Sequence, residues 1–383
     1  MLPLKLAMVY LLGTFVLFLI WPVNWQLYHW TQWLLLSAYV IVAYALIAFG
    51  FAMGRRGPAL PSLPLPTNRI IIAGAALAIL LLIPSSYIYT GRPPWEVLDA
   101  LSQQGDAYRR FQQQLQQEGD RSGFALLRAV VAPLTFAAVP LAILHWRRLS
   151  WSVRGLAIGA AMSSLIFGTL RGTDREMAEI FIIGGSAFLV VWGRSADARR
   201  SLASAFARYW KVGAVAAVFL VIAASLFTER KAERLGRIDT VCANDSRICA
   251  DVDAPAISWM GERAKFSVSI FILSSCSGYY GLALGMEKDF KSTFGLGHSA
   301  YALRAYEIVT GDRSLQERTY TYRNTFDGWS PDYYWSTAFL WFANDVGFAG
   351  ALIVVALFAA LWGRSWRDAT IGHSDAAAII FCG

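Results

Sequence analysis

The stretch "LRGTDREMAEIF" at residues 170–181 places five charged side chains, Arg171, Asp174, Arg175, Glu176 and Glu179, between two apolar runs. Arginine forks match the oxygens of phosphate in a bidentate way, and a helix N-terminus adds its dipole and free amides to any anion held there. With a helix starting near Thr173, Arg175 falls in its first turn, so Arg171 and Arg175 read as an anion-binding mouth whose natural ligand is a phosphate or pyrophosphate. The alternative is internal: Thr173 or Asp174 caps the helix, and the two arginines pair with Asp174, Glu176 and Glu179. Glu179 lies one to two turns inside the apolar run, where an unpaired carboxylate is costly, so it needs an arginine or a wet cavity.

Other residues could do chemistry. Asn344 and Asp345 sit roughly ten residues into the apolar segment "STAFLWFANDVGFAGALIVV" and must face a polar interior or a partner; an interhelical polar clamp and a catalytic acid are both open. Gly347 and Gly350 beside them permit close helix approach. Between residues 228 and 335 lie Arg230, Arg263, Arg304 and Arg323 as cations, and His298, Asp327 and Asp332 as candidate bases. Each of these alone also reads as a solvated or ion-paired loop residue. Together with the aromatic clusters "SGYYGLALGM" and "PDYYWS" they describe a cavity with cations for phosphate, a proton acceptor, and ring faces for sugars. Cys242 and Cys249, seven apart in "VCANDSRICA", read as a disulfide pair or as two unrelated thiols. The four histidines are scattered at 29, 145, 298 and 373, and the sequence has no P-loop, "HExxH", nucleophile elbow or Gly-rich dinucleotide turn, so neither a resident metal nor a nucleotide cofactor is expected.

The elements that must position these residues are membrane helices. Apolar residues make up 56% of the 383, mean hydropathy is +0.44, and many runs approach the roughly 20 residues that cross a bilayer. Spans are predicted at 3–22, 32–53, 70–88, 124–145, 152–170, 177–193, 209–227 and 336–362. The first lacks a small-residue cleavage site and reads as a retained span. "AAAIIFCG" from 376 starts like a ninth span and stops short, which suggests a missing C-terminal part. The chain thus divides into residues 1–227 with seven spans, a large connection at 228–335, and 336–383 with the eighth span and the start of another.

Lys and Arg set the orientation. The basic loops "GRRG", "HWRRLSWSVR", "GRSADARRSLASAFARYWK" and "GRSWRD" follow spans 2, 4, 6 and 8 and face the cytoplasm, as does the N-terminus. The loop after span 1 has no Lys or Arg, and its Trp21, Trp25, Tyr28, Trp30 and Trp33 suit a headgroup belt. Most of the +8 net charge is therefore topological, and no nucleic-acid partner is implied. On the outer side, residues 89–123 carry Trp95, Leu98, Leu101, Tyr108, Phe111 and Leu115 near helical spacing, an amphipathic helix on the membrane or a solvated linker helix. The segment 266–286 is apolar enough to span, but crossing would turn "GRSWRD" outward, so it reads as re-entrant or interfacial.

With these residues in place the chain resembles the O-antigen polymerase (Wzy-type) family. The likeness lies in the architecture, in "RGTDRE" opening a span, and in the aromatic run "YYWSTAFLWFANDVGFAG" leading to an Asp-x-Gly-x-x-Gly pattern, here with Val346 where the family has an aromatic residue. The resemblance implies the all-α helical membrane architecture of lipid-phosphosugar-dependent (GT-C-like) glycosyltransferases, a multi-pass bacterial inner-membrane protein with a large periplasmic loop. It also implies polymerisation of undecaprenyl-pyrophosphate-linked repeat units, without metal, ATP or nucleotide sugar. Donor and acceptor lipid-linked oligosaccharides and a chain-length regulator would be its partners. Arg171 and Arg175 would neutralise the leaving pyrophosphate, His298 or Asp332 would act as base, and Arg263, Arg304 and Arg323 would contact phosphate or glycan. An O-antigen ligase uses the same donor and is the neighbouring reading. A lipid-linked-sugar flippase or transporter is the alternative class, for which matched Gly/Pro-broken halves are expected and not seen.

Overall fold

A computed structural model describes the chain except for residues 63–64, 117–121, 195–213, 215–217, 219–224, 226, 230, 234–240, 243–247 and 332–333. In chain order the helices are α1 (Leu2–Ile20), α2 (Trp30–Arg56), α3 (Thr67–Thr90), α4 (Val97–Ser102), α5 (Gln104–Gln116), α6 (Ser122–Leu144), α7 (Trp151–Arg171) and α8 (Arg175–Arg194). They continue with α9 (Glu262–Met286), α10 (Ala300–Thr310), α11 (Ser314–Arg318), α12 (Tyr320–Arg323), α13 (Ala338–Thr370) and α14 (Asp375–Cys382). Two short strands, β1 (Val241–Cys242) and β2 (Cys249–Ala250), pair antiparallel. Among the described residues eight helices are long and apolar enough to cross a membrane, which makes this an all-α polytopic membrane protein. The span expected at 209–227 lies almost wholly outside the described residues. The chain divides into two units, residues 1–54 with 237–361, and residues 55–236 with 362–383.

In the first unit α9 is the central element. The sequence reads it as re-entrant or interfacial; it is one unbroken helix, without the break that re-entrance needs, and its second half, from Cys276 to Gly285, is buried throughout by its neighbours. Small residues and hydroxyls account for this. Tyr279 shares its hydroxyl with Thr14 of α1 (2.9 Å) and Tyr44 of α2 (2.6 Å), and the Cys276 thiol donates to the Thr14 carbonyl. A buried hydroxyl without a partner is costly, so three helices are tied at one polar node. Trp25, expected in a headgroup belt, is 2% exposed: its ring packs on Phe18 and its indole N–H donates to the Phe18 carbonyl, while Tyr28 and Trp30 remain exposed. Close helix approach occurs at Gly50 and Gly54 of α2, which face the backbone carbonyls of Ala356 and Ala360 of α13, whereas a Cβ at Gly350 would first meet Val346 of its own helix. The β1–β2 hairpin is closed by a Cys242–Cys249 disulfide and joined to the turn after α1 by a Val23–Ala250 bridge.

In the second unit α3, α6 and α7 pack through small residues, with Ala75, Ala138 and Ala160 forming a buried cluster. The amphipathic segment after α3 does not form one helix. It breaks at Gln103 into α4 and α5, so Phe111 turns inward while Trp95, Leu98 and Leu101 stay exposed. α5 lies over the turn between α7 and α8. That turn requires Gly172, which has φ +63° and whose Cβ would meet the backbone of Gln104 and Tyr108 at 2.8 Å. The start expected for a ninth span is the helix α14, whose Asp375 accepts from Thr67 and pairs with His145.

The two free thiols, Cys276 and Cys382, are buried and the other pair is oxidised. Under denaturing, non-reducing conditions a maleimide–polyethylene glycol reagent is therefore expected to add two labels, rising to four after reduction. Four labels without reduction would mean that the hairpin thiols are free.

Candidate functional site

The first unit holds a largely enclosed carboxylate, Asp345, that organises its surroundings. Asp345 lies in α13 two residues before Gly347, which interrupts the helix with φ +70° and ψ 174°, a backbone conformation that glycine reaches without strain. The sequence "NDVG" is thus a helix break. Below it the loop joining α9 to α10 folds back onto the exposed helix end. Thr293 Oγ1 approaches Asp345 Oδ1 (2.5 Å) and the Asn344 carbonyl (2.8 Å); the Gly297 amide donates to Oδ1 (2.7 Å) and the His298 amide to Oδ2 (2.9 Å). The imidazole of His298 then places Nδ1 2.9 Å from Oδ2. Asn344, 1% exposed, completes the support by accepting from the Tyr320 amide and donating to the Gly297 carbonyl.

The resulting geometry has a clear chemical sense. The side chain of Asp345 is 9% exposed and that of His298 is 49% exposed. A carboxylate facing Nδ1 selects the tautomer with the proton there, which leaves Nε2 on the open side of the ring as a proton acceptor. Thr293 is fully buried, and the next residue, Phe294, has φ +54°, a rare conformation for a bulky residue, with its ring 75% exposed. The Arg318 guanidinium lies 5.7 Å over that ring. Among the described residues Arg318 makes no hydrogen bond and no ion pair. It was not singled out from the sequence, where it is the arginine of "ERTY" at 317–320; in the structure it ends the short helix α11.

The expected residues distribute as follows. Arg323 donates to the Asp289 carbonyl (2.8 Å) and covers the Tyr320 ring, in the helix whose first amide Asn344 holds. Arg304 pairs with Glu307, and so does Arg313; desolvation raises the Glu307 carboxyl, but these two guanidinium hydrogen bonds outweigh it and hold it below the usual range. Arg263 sits exposed in the first turn of α9, and Asp327 pairs with Lys288. Asp332 and Arg230 lie outside the described residues. Only His298 of the expected bases is therefore seen within a supporting network.

At the other cluster, in the second unit, the arginines are engaged by carboxylates. Arg171 Nη1 lies 2.6 Å from Glu176 Oε1, and Thr173 Oγ1 donates to Glu176 Oε2 at 2.8 Å. Arg175 Nε donates to Glu179 at 2.7 Å, one turn along α8, with both side chains about half exposed. The internal ion-pair reading describes this geometry, and Glu179 is held by Arg175. No family model, curated protein or solved structure matches the chain.

Two substitutions separate the clusters. A Cβ at Gly297 would stand 2.2 Å from Thr293 Oγ1 and 2.7 Å from Asn344 Cβ, so Gly297→Ala is expected to destabilise by about 1–3 kcal/mol. Gly261→Ala, with open space around it, is the neutral control. Arg175→Ala removes the exposed Glu179 pair, and such a pair is worth about 0–1 kcal/mol. Thermal unfolding in detergent reads all three, and an unchanged Tm for Gly297→Ala would mean that the loop is not seated on α13.

Proposed function

We propose that this protein polymerises lipid-pyrophosphate-linked oligosaccharide repeat units, as an enzyme of the inner membrane of a bacterium working on the non-cytoplasmic face. The observation that carries the proposal is the His298 imidazole, pinned through Nδ1 by the largely enclosed Asp345 and open at Nε2. Nε2 takes the proton of an acceptor sugar hydroxyl as that oxygen attacks the anomeric carbon of the donor. The bond between that carbon and the pyrophosphate oxygen breaks, and the charge leaves with the lipid pyrophosphate. Arg318, which makes no hydrogen bond or close ion pair among the described residues, stands next to this loop and can stabilise charge that grows in the transition state, with Arg323 as the second cation of the same unit. Phe294 offers an exposed ring on which a sugar can stack. The oxidised Cys242–Cys249 pair and the Lys/Arg bias of the loops support the outward orientation. A helical membrane architecture of the kind used by lipid-phosphosugar-dependent glycosyltransferases accords with the all-α polytopic fold.

The test is the gel profile of surface glycan from a strain lacking the gene and carrying wild-type or variant protein at matched membrane levels. Wild type is expected to restore a ladder, and His298→Gln to leave glycan capped by a single repeat, a rate loss of about 10²–10⁴-fold. Asp345→Asn is expected to lower the rate by about 10²-fold or more, because an amide no longer fixes the proton on Nδ1. A full ladder from His298→Gln would overturn the base assignment. If the deletion strain instead loses all repeat-bearing glycan and accumulates lipid-linked units, the protein is a ligase or a flippase.

A further inference from the structure

In the second unit, five side chains form an alternating stack of rings and guanidinium groups: Tyr89, Arg128, Phe167, Arg171 and Phe111. Arg128 lies 5.5 Å from the centre of the Tyr89 ring and 4.7 Å from that of Phe167, and Arg171 lies 5.1 Å from Phe167 and 4.4 Å from Phe111. The two cations thus share one phenylalanine, held between the ends of α3, α6 and α7 and the covering helix α5. They differ in charge balance. Arg171 is paired with Glu176, whereas Arg128 has neither a hydrogen bond nor an ion pair among the described residues.

Arg128 is half-buried and six residues into α6, about 9 Å along a helix that is apolar enough to cross a bilayer. Ring faces attract a guanidinium but accept few of its five N–H donors. A stacked guanidinium keeps its planar edge free, and that edge fits two oxygens of a phosphate group. A charge at such a depth without a counter-ion is otherwise costly.

We infer that Arg128, clamped between Tyr89 and Phe167, binds a phosphate group, carried either by a lipid headgroup or by a soluble phosphate. The site lies wholly in the second unit and does not rest on the polymerase reading, so either can fail alone. The test is titration of the purified full-length protein in maltoside micelles, once with phosphatidic acid followed by native mass spectrometry and once with inorganic pyrophosphate followed by calorimetry. Arg128→Gln is expected to weaken binding of at least one of the two by tenfold or more, while Arg110→Gln, an exposed arginine of α5, leaves both unchanged. Loss confined to phosphatidic acid identifies a lipid headgroup; loss confined to pyrophosphate identifies a soluble ligand. Arg128→Lys keeps the charge without the flat edge and is expected to bind at least threefold more weakly. Affinities within twofold of wild type for both ligands in Arg128→Gln, or in Arg128→Lys where the glutamine variant does not fold, overturn the proposal.

Discussion

The first unit is arranged around a carboxylate that must be satisfied. Asp345 lies in a helix that is apolar from Ala338 to Ala343 and from Val346 to Gly363, and burying it alone would cost far more than one interaction returns. Two backbone amides, one hydroxyl and one imidazole meet it, all from residues 293–298. That requirement explains features that look unrelated in the sequence. The helix breaks at Gly347 so that a loop can reach the carboxylate; the loop is small at Gly297 because nothing larger fits; and Asn344 ties the same loop to Tyr320. The orientation of His298 is a consequence of this satisfaction of polar groups.

The second unit treats its arginines differently. Arg175 is a solvated pair partner on one helix face, and Arg171 is half of a part-buried pair with Glu176. Arg128 has rings in place of an acid. The same residue type thus holds a turn in one position and presents a planar cationic edge in another, and the difference comes from which neighbours carry negative charge.

Much of the membrane architecture was legible, because a run of apolar residues of bilayer length has few other uses. The burial of α9 was not legible in the same way: it comes from Thr14, Tyr44 and Tyr279 meeting across more than 200 residues, which no local window contains. His298 and Asp345 were each visible as chemistry-bearing residues, but their pairing was not, since 47 residues separate them. Arg128 drew no notice because a single arginine at a helix start looks like an interfacial anchor; its meaning depends on Phe167, a turn before the end of another helix. Gly347 was read as a site of helix contact and proved to be a point of helix termination, a distinction carried by φ and not by residue type.

The first unit is discontinuous in sequence: about 180 residues are made between its two parts. At translation rates of about 5–20 residues per second, α1 and all but the last residues of α2 wait some ten to forty seconds for the partners that complete their polar node. During that interval the hydroxyls of Thr14 and Tyr44 are not bare, since both also reach carbonyls of α1, Thr14 to Tyr10 and Leu11, and Tyr44 to Leu11. These local bonds act as temporary satisfaction for groups already within the bilayer, to be supplemented when Tyr279 arrives. The N-terminal hairpin can therefore reside in the membrane as a stable early product of synthesis, and the second unit is made while the first is still open.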